Sequence, residues 1–347
     1  MNNQDVCDLM VHITLMMKFI LISVVTVLLL AANVFFGAVH IHVEEICAIL
    51  GNGMTEGDPV SYIVWGSRIP QAITALLAGA GLAVSGLMLQ TAFRNPLAGP
   101  SILGISSGAS LGVALVMLFL GGTLSLGTFS LGGNAAVVAG AMIGSLGIMA
   151  ILIAISARVR SNLMLLIAGI MVGYLTSSLV TLLSSLSTSQ AVHKYVMWGM
   201  GFFGGVSTGQ MPFFASLTIV GLLIALLLAK PLNILLLGDN YARNLGVNVT
   251  RVRNLLLLST GVLTAVITAY CGPVSFIGLA VPHIARLIWR TDNHWVLMPA
   301  TMLTGGAVAL ACNVMSVIPD NTVIPLNALT PIVGVPVILY VIISRKN

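Results

Sequence analysis

The side chains best suited to chemistry are few and scattered. His40 and His42 form a His-x-His pair. A closed metal site wants about four ligands, so two histidines alone read as a solvated loop end. The cysteines, Cys7, Cys47, Cys271 and Cys312, lie far apart with no C-x-x-C pair; they read as small buried residues. None of the four lysines follows a glycine, so no G-x-x-x-x-G-K-[ST] phosphate loop exists. No Ser-His-Asp arrangement and no H-E-x-x-H motif is present. Catalytic residues, a metal site and an ATP cradle are therefore not expected in this chain.

One polar stretch looks like a lever. Residues 230–253 contain Leu237-Gly238-Asp239-Asn240-Tyr241-Ala242-Arg243-Asn244-Leu245-Gly246-Val247. Asp239 can cap a short helix at its N-terminus, and Gly246 can end it in the left-handed region. About two turns of helix do not persist alone in water, so this helix must rest on something. A soluble partner or the chain's own membrane surface would serve equally.

The elements that position these residues follow from composition. Of 347 residues, 58% are hydrophobic and only 7% charged; a soluble domain carries roughly 25% charged residues. A cytosolic enzyme, a nucleic-acid-binding domain and a disordered chain are excluded, and lipid must be the main solvent. The net charge of +5 sits in short loops between apolar runs and marks topology, not a nucleic-acid patch.

Apolar runs of spanning length occur at 18–39, 68–91, 101–120, 135–156, 163–186, 211–229, 252–271, 274–289, 296–317 and 325–343. That is about ten helices. The first run is too long for a signal-peptide core and is taken as an uncleaved span. The stretch 254–289 is split at Cys271-Gly272-Pro273, because proline removes a backbone donor and glycine loosens the helix. With the N-terminus inside, twelve lysines and arginines fall inside and two, Arg68 and Lys194, outside. That vote places both termini in the cytoplasm. No Asp or Glu sits mid-span, which counts against a proton-driven transporter. The run Ala78–Gly86 is a small-residue face for close helix packing.

Several segments together resemble the iron-complex and cobalamin permease family of ABC importers. They are Arg68-Ile69-Pro70, the run 78–86, Gln90-Thr91-Ala92-Phe93-Arg94-Asn95-Pro96-Leu97-Ala98-Gly99-Pro100, and Leu103–Ala109. Further along come the loop 237–247, Gly272-Pro273 through Leu279, Val281-Pro282-His283-Ile284-Ala285-Arg286, and Pro325, Thr330, Gly334 and Pro336. The resemblance covers nearly the whole chain.

It implies an all-α polytopic membrane protein, 1–347 being one permease domain of type II importer form. Its ten helices would form two inverted five-helix halves, of which the sequence shows only a faint echo between 99–104 and 272–278. The permease would work as a homodimer in the inner membrane, with two ATP-binding subunits below and a periplasmic or lipid-anchored substrate-binding protein above. ATP and Mg would belong to the ATPase subunits and no cofactor to this chain. Membrane lipid is the remaining partner, and nucleic acid is not one.

The resemblance also implies residue roles. Asp239, Asn240, Ala242, Arg243, Leu245 and Gly246 match the coupling helix. Arg68 matches one of the outer docking arginines, Gln71 stands where a second would fall, and Lys194 is a further outer cation. Asn162 and Leu163 fall at the cytoplasmic gate. Thr176, Ser177, Ser184 and Ser185 are candidate path-lining groups on the fifth span. Departures are Ser316 at a third docking position, Val323 for a usual Glu, and Asn327 for a usual Gly. The expected cargo is a ferric siderophore, haem or cobalamin, because such a bulky complex suits a wide, uncharged cavity. An ion-gradient transporter and a structural membrane scaffold are the competing classes; the missing midplane carboxylates argue against the first and the capped loop helix against the second.

Overall fold

The computed structural model describes residues 3–55, 57–126, 129–159, 161–317 and 323–344. Fourteen helices, a short 3-10 turn at Phe203–Gly205 and one hairpin are found among them. In chain order the helices are α1 (Asn3–Phe35), α2 (Val43–Asn52), α3 (Pro59–Phe93), α4 (Ile105–Phe119), α5 (Asn134–Arg158), α6 (Asn162–Ser185) and α7 (Ser189–Gly199). Then come α8 (Met211–Leu227), α9 (Ala229–Leu236), α10 (Asp239–Asn244), α11 (Val249–Cys271), α12 (Ile277–Trp289), α13 (His294–Val317) and α14 (Leu326–Ser344). Strands β1 (Thr123–Leu126) and β2 (Phe129–Gly132) pair antiparallel between α4 and α5.

Each of the ten expected spans has its helix: α1, α3, α4, α5, α6, α8, α11, α12, α13 and α14. Six are long and apolar enough to cross alone, and the pair α8–α9, bent by 45°, makes a seventh. The other three are shorter. α12 has 13 residues, roughly 20 Å at 1.5 Å per residue, against a hydrocarbon core of about 30 Å. α4 is ten α-helical residues continued by a five-residue π turn. Both short helices follow irregular backbone, 94–104 and 272–276, in which 98–100, 103–104, Gly272 and Val274 are buried in protein. Only there is unpaired backbone tolerated at membrane depth.

Packing reveals what the sequence barely showed. α3 packs on α13 as α11 packs on α5. α4 lies on α5 as α12 lies on α13, α3 on α12 as α11 on α4, and α4 on α6 as α12 on α14. Each of these pairs turns into its counterpart when α1, α3, α4, α5, α6 are exchanged for α8, α11, α12, α13, α14, whereas the packing of α1 on α13 has no such counterpart between α8 and α5. Five crossings is an odd number, so the second half starts on the opposite face and is inverted.

The centre is held by small residues. A Cβ at Gly79 would strike the carbonyl of Gly305, and one at Gly305 would strike Gly79 in return. Backbones meet there directly, which is how membrane helices gain packing when burial from water drives nothing.

Three expectations change. The second span begins nine residues before Arg68. Asp58 accepts hydrogen bonds from the Val60 and Ser61 amides and Pro59 sits at the first helical position, a start signal. Cys47 is exposed on α2, while Cys271 and Cys312 are buried as expected. Asp239 does not cap α10; the cap position is Gly238, with φ +115°.

Candidate functional site

Residues 229–248 form a platform at the end of α8. α9 turns away from α8 and buries Ala229, Leu232 and Leu235. α10 is fixed at both ends. At its start, Asp239 pairs with Arg94 at 3.0 Å, and the same guanidinium donates to the Leu235 carbonyl at 3.2 Å. At its end, Gly246 takes φ +79° as expected. The Gly246 amide donates to Arg243 O and the Val247 amide to Ala242 O, both at 3.0 Å, a Schellman closure. Ala242 is fully buried and pins the helix to the body. Leu237, Tyr241 and Leu245 face outward, each more than half exposed, beside exposed Asn240, Arg243 and Asn244. The helix therefore rests on its own protein and still presents an apolar face with a charge.

A polar network lies under the platform. Asn233 Nδ2 donates to Asn293 Oδ1 at 2.8 Å, and Asn233 Oδ1 accepts from the His294 amide at 2.8 Å. The His294 ring also meets Thr91 Oγ1 at 2.9 Å. Arg286 donates to Gln90 Oε1 at 2.7 Å, Gln90 Nε2 to the Leu279 carbonyl at 3.0 Å, and His283 meets the Pro96 carbonyl at 2.7 Å. Gln90, Arg94, His283 and Arg286 carried the sequence resemblance. Here Gln90 and Arg286 join α3 to α12, His283 holds the 94–104 loop to α12 and Arg94 reaches the platform, while His294 ties in α13; residue types alone did not show these roles.

The expected docking residues separate. Arg68 was read as an exposed rim charge; the structure corrects this. It is 5% exposed, and its guanidinium donates to the Val34 and Phe35 carbonyls at 2.8 and 2.9 Å and to Val39 O. The first two are orphan carbonyls in the last turn of α1, which a cation satisfies well, and Val39 lies in the loop that follows. Gly37 makes room, since a Cβ there would lie 2.7 Å from Arg68 Nε. Gln71 is half-buried and donates to Asn313 Oδ1 at 3.0 Å. Asn313 in turn donates to Asn33 Oδ1 at 2.6 Å, so an amide chain ties α1, α3 and α13. Lys194 is exposed and lines a cavity of about 660 Å³ with Met117, Asn134, Thr188 and Gln190.

Arg253 repeats the Arg68 device. It donates to the Ser156 and Val159 carbonyls at 2.9 and 3.1 Å, at the end of α5. With Arg94 on Leu235, three arginines donate to carbonyls at the ends of three separate helices, α1, α5 and α9.

On α6, Leu163 is 64% exposed. Asn162 begins the helix, and its side chain lies outside the described residues. Ser177 and Ser185 are exposed and Ser184 partly so. Thr176 is corrected: it is 3% exposed, and its hydroxyl donates to the Val172 and Gly173 carbonyls. Ser184 and Ser185 also donate to their own helix, at Val180 O and Leu182 O, as helix hydroxyls commonly do.

Asn327, noted only as a departure, clamps the start of α14. Its Nδ2 donates to Gly199 O at 2.9 Å and Pro273 O at 2.6 Å. Its Oδ1 accepts from the Ser275 amide at 3.1 Å and the Ser275 hydroxyl at 2.9 Å. It joins α14 to the break before α12 and to the end of α7.

The profile of the FecCD transport family matches residues 24–344. The hemin transport system permease of Yersinia pestis is 35% identical over 340 residues, covering 96% of each chain. A vitamin B12 import system permease of Salmonella arizonae is 37% identical over 285 residues, 82% of this chain and 84% of that one. A solved metal-chelate type ABC transporter in an inward-facing conformation superposes with a TM-score of 0.78 at 29% identity, over 94% of this chain and 99% of that chain.

Proposed function

Because the chain belongs to the FecCD transport family, we propose that it is the membrane permease of an ATP-driven importer for a preassembled metal chelate. That cargo is an iron complex, haem or a ferric siderophore, or cobalamin. The observation that carries the reading is the end-to-end similarity to a hemin permease together with the long match to a vitamin B12 permease. Nothing in these relatives supports drive by an ion gradient.

In this reading two copies pair, and the path runs between them along α6 and α14. Two ATP-binding subunits engage the platform from the cytoplasm and supply ATP and Mg. A periplasmic or lipid-anchored binding protein delivers cargo outside, where Lys194 is the remaining exposed docking cation. Both termini lie in the cytoplasm of a cell whose inner membrane holds the complex. The exposed faces of Leu237, Tyr241 and Leu245, anchored by buried Ala242, support the coupling role. So does the network that carries a push on α9 into α3, α12 and α13. Leu163, one residue into α6 and exposed, suits an apolar constriction that gates by excluding water.

The test is uptake of labelled haem, ferric siderophore and cobalamin into proteoliposomes holding the complete complex. One cargo accumulates only with ATP; accumulation driven by an imposed proton or sodium gradient without ATP overturns the reading.

A further inference from the structure

A groove beside the platform, which it meets at Asn248, is lined by none of the residues assigned to coupling, gate or path. It runs between the end of α5 and the start of α11, holds about 530 Å³, and is lined by Ile153, Asn248, Thr250, Arg251, Leu255 and Leu258, with Asn254 at its wall. Its chemistry changes along its length. Arg251, Leu255 and Leu258 follow the i, i+4, i+7 spacing of one helix face, with the cation at the helix start and the leucines one and two turns deeper. Leu255 and Leu258 are 43% and 44% exposed.

Neighbouring arginines divide two tasks. Arg253 turns inward and closes the end of α5. Arg251 is exposed and makes no ion pair among the described residues. Asn254 is held against α5 by Ser156 Oγ, which donates to its Oδ1 at 2.9 Å, so the wall is fixed. A groove that is polar and cationic at one end, then apolar toward the membrane interior, matches a molecule with an anionic head and acyl tails. A soluble partner would leave the leucines uncovered.

We infer that this groove binds one anionic phospholipid, its phosphate at Arg251, Thr250 and Asn248 and its acyl chains over Ile153, Leu255 and Leu258. A basic residue near an anionic membrane surface contributes about 1 kcal/mol, roughly fivefold in affinity. The site is built from α5, α11 and the turn before α11, and includes no residue of α6 or α14.

The full chain in detergent is titrated with dioleoylphosphatidylglycerol or dioleoylphosphatidylcholine, and bound lipid is counted by native mass spectrometry. The wild type should retain phosphatidylglycerol about fivefold more tightly. Arg251→Gln should remove that preference, and Arg251→Lys should keep most of it. Raising salt should weaken only the phosphatidylglycerol binding of the wild type, a readout that holds even if a variant folds poorly. An unaltered preference in Arg251→Gln, or salt-insensitive binding, overturns the assignment. Displacement of the lipid when the ATP-binding subunits are added also overturns it, because the groove is then a protein interface.

Discussion

Asn327 offers a sharp test of how α14 is held. Asn327→Ala removes two donated hydrogen bonds, to Gly199 O and Pro273 O, and two accepted ones, from the Ser275 amide and hydroxyl. Hydrogen bonds between membrane helices average about 0.6 kcal/mol each, and buried ones in water-soluble proteins about 1. Four bonds therefore amount to roughly 2–4 kcal/mol. The Ser275 amide and the Pro273 carbonyl lie in irregular backbone and have no helical partner to return to, which favours the upper end. Asn327→Asp keeps both accepted bonds and loses both donated ones, so its loss should fall near half, plus the cost of a partly buried charge. Reversible unfolding in mixed micelles with a denaturing detergent would measure both. A loss under about 0.5 kcal/mol for Asn327→Ala, below one average bond, would refute the clamp.

Gly37→Ala should destabilise by about 1–3 kcal/mol, the usual cost of overpacking, and Arg68→Gln should suppress most of that penalty if the clash with Nε is its cause; additive losses in the same unfolding assay would disprove the coupling. Replacing Arg243 and Leu245 together should leave the fold intact yet uncouple ATP turnover from uptake or release the ATP-binding subunits, and normal copurification with normal uptake would remove α10 from coupling. Leu163→Cys should crosslink between two copies with a yield that changes between nucleotide-free and nucleotide-bound complexes; a constant yield would exclude it from the gate. Gly305→Val should push α13 from α3 and cost more than 2 kcal/mol, by the same overpacking argument, whereas an unchanged midpoint would show that the backbones do not meet there.

Apolar runs are long-range signals, and the sequence legibly carried all ten spans, the break at Gly272 and the left-handed Gly246. What it concealed was tertiary. The inverted pairing is a property of contacts, and the two halves share only the Gly-Pro breaks before α4 and α12. Arg68 was misread because a cation at a span end suggests a solvated rim; only the fold shows that the end of α1 supplies carbonyls within reach. The start of α3 was legible in Asp58-Pro59 but lay outside the apolar run, so it was passed over. Thr176 and Asn327 carry the same lesson in opposite directions, a hydroxyl expected to face the path that bonds to its own helix, and an apparent oddity that joins three segments.

The Arg68 clasp bears on the order in which the chain enters the membrane. In the proposed orientation Arg68 must travel to the outer side with α3, against the bias that keeps cations in the cytoplasm. An arginine held at mid-helix raises the insertion free energy by about 2.5–3.5 kcal/mol. The carbonyls that receive it belong to α1, which emerges earlier from the ribosome. The first hairpin thus carries its own acceptors for the charge it exports.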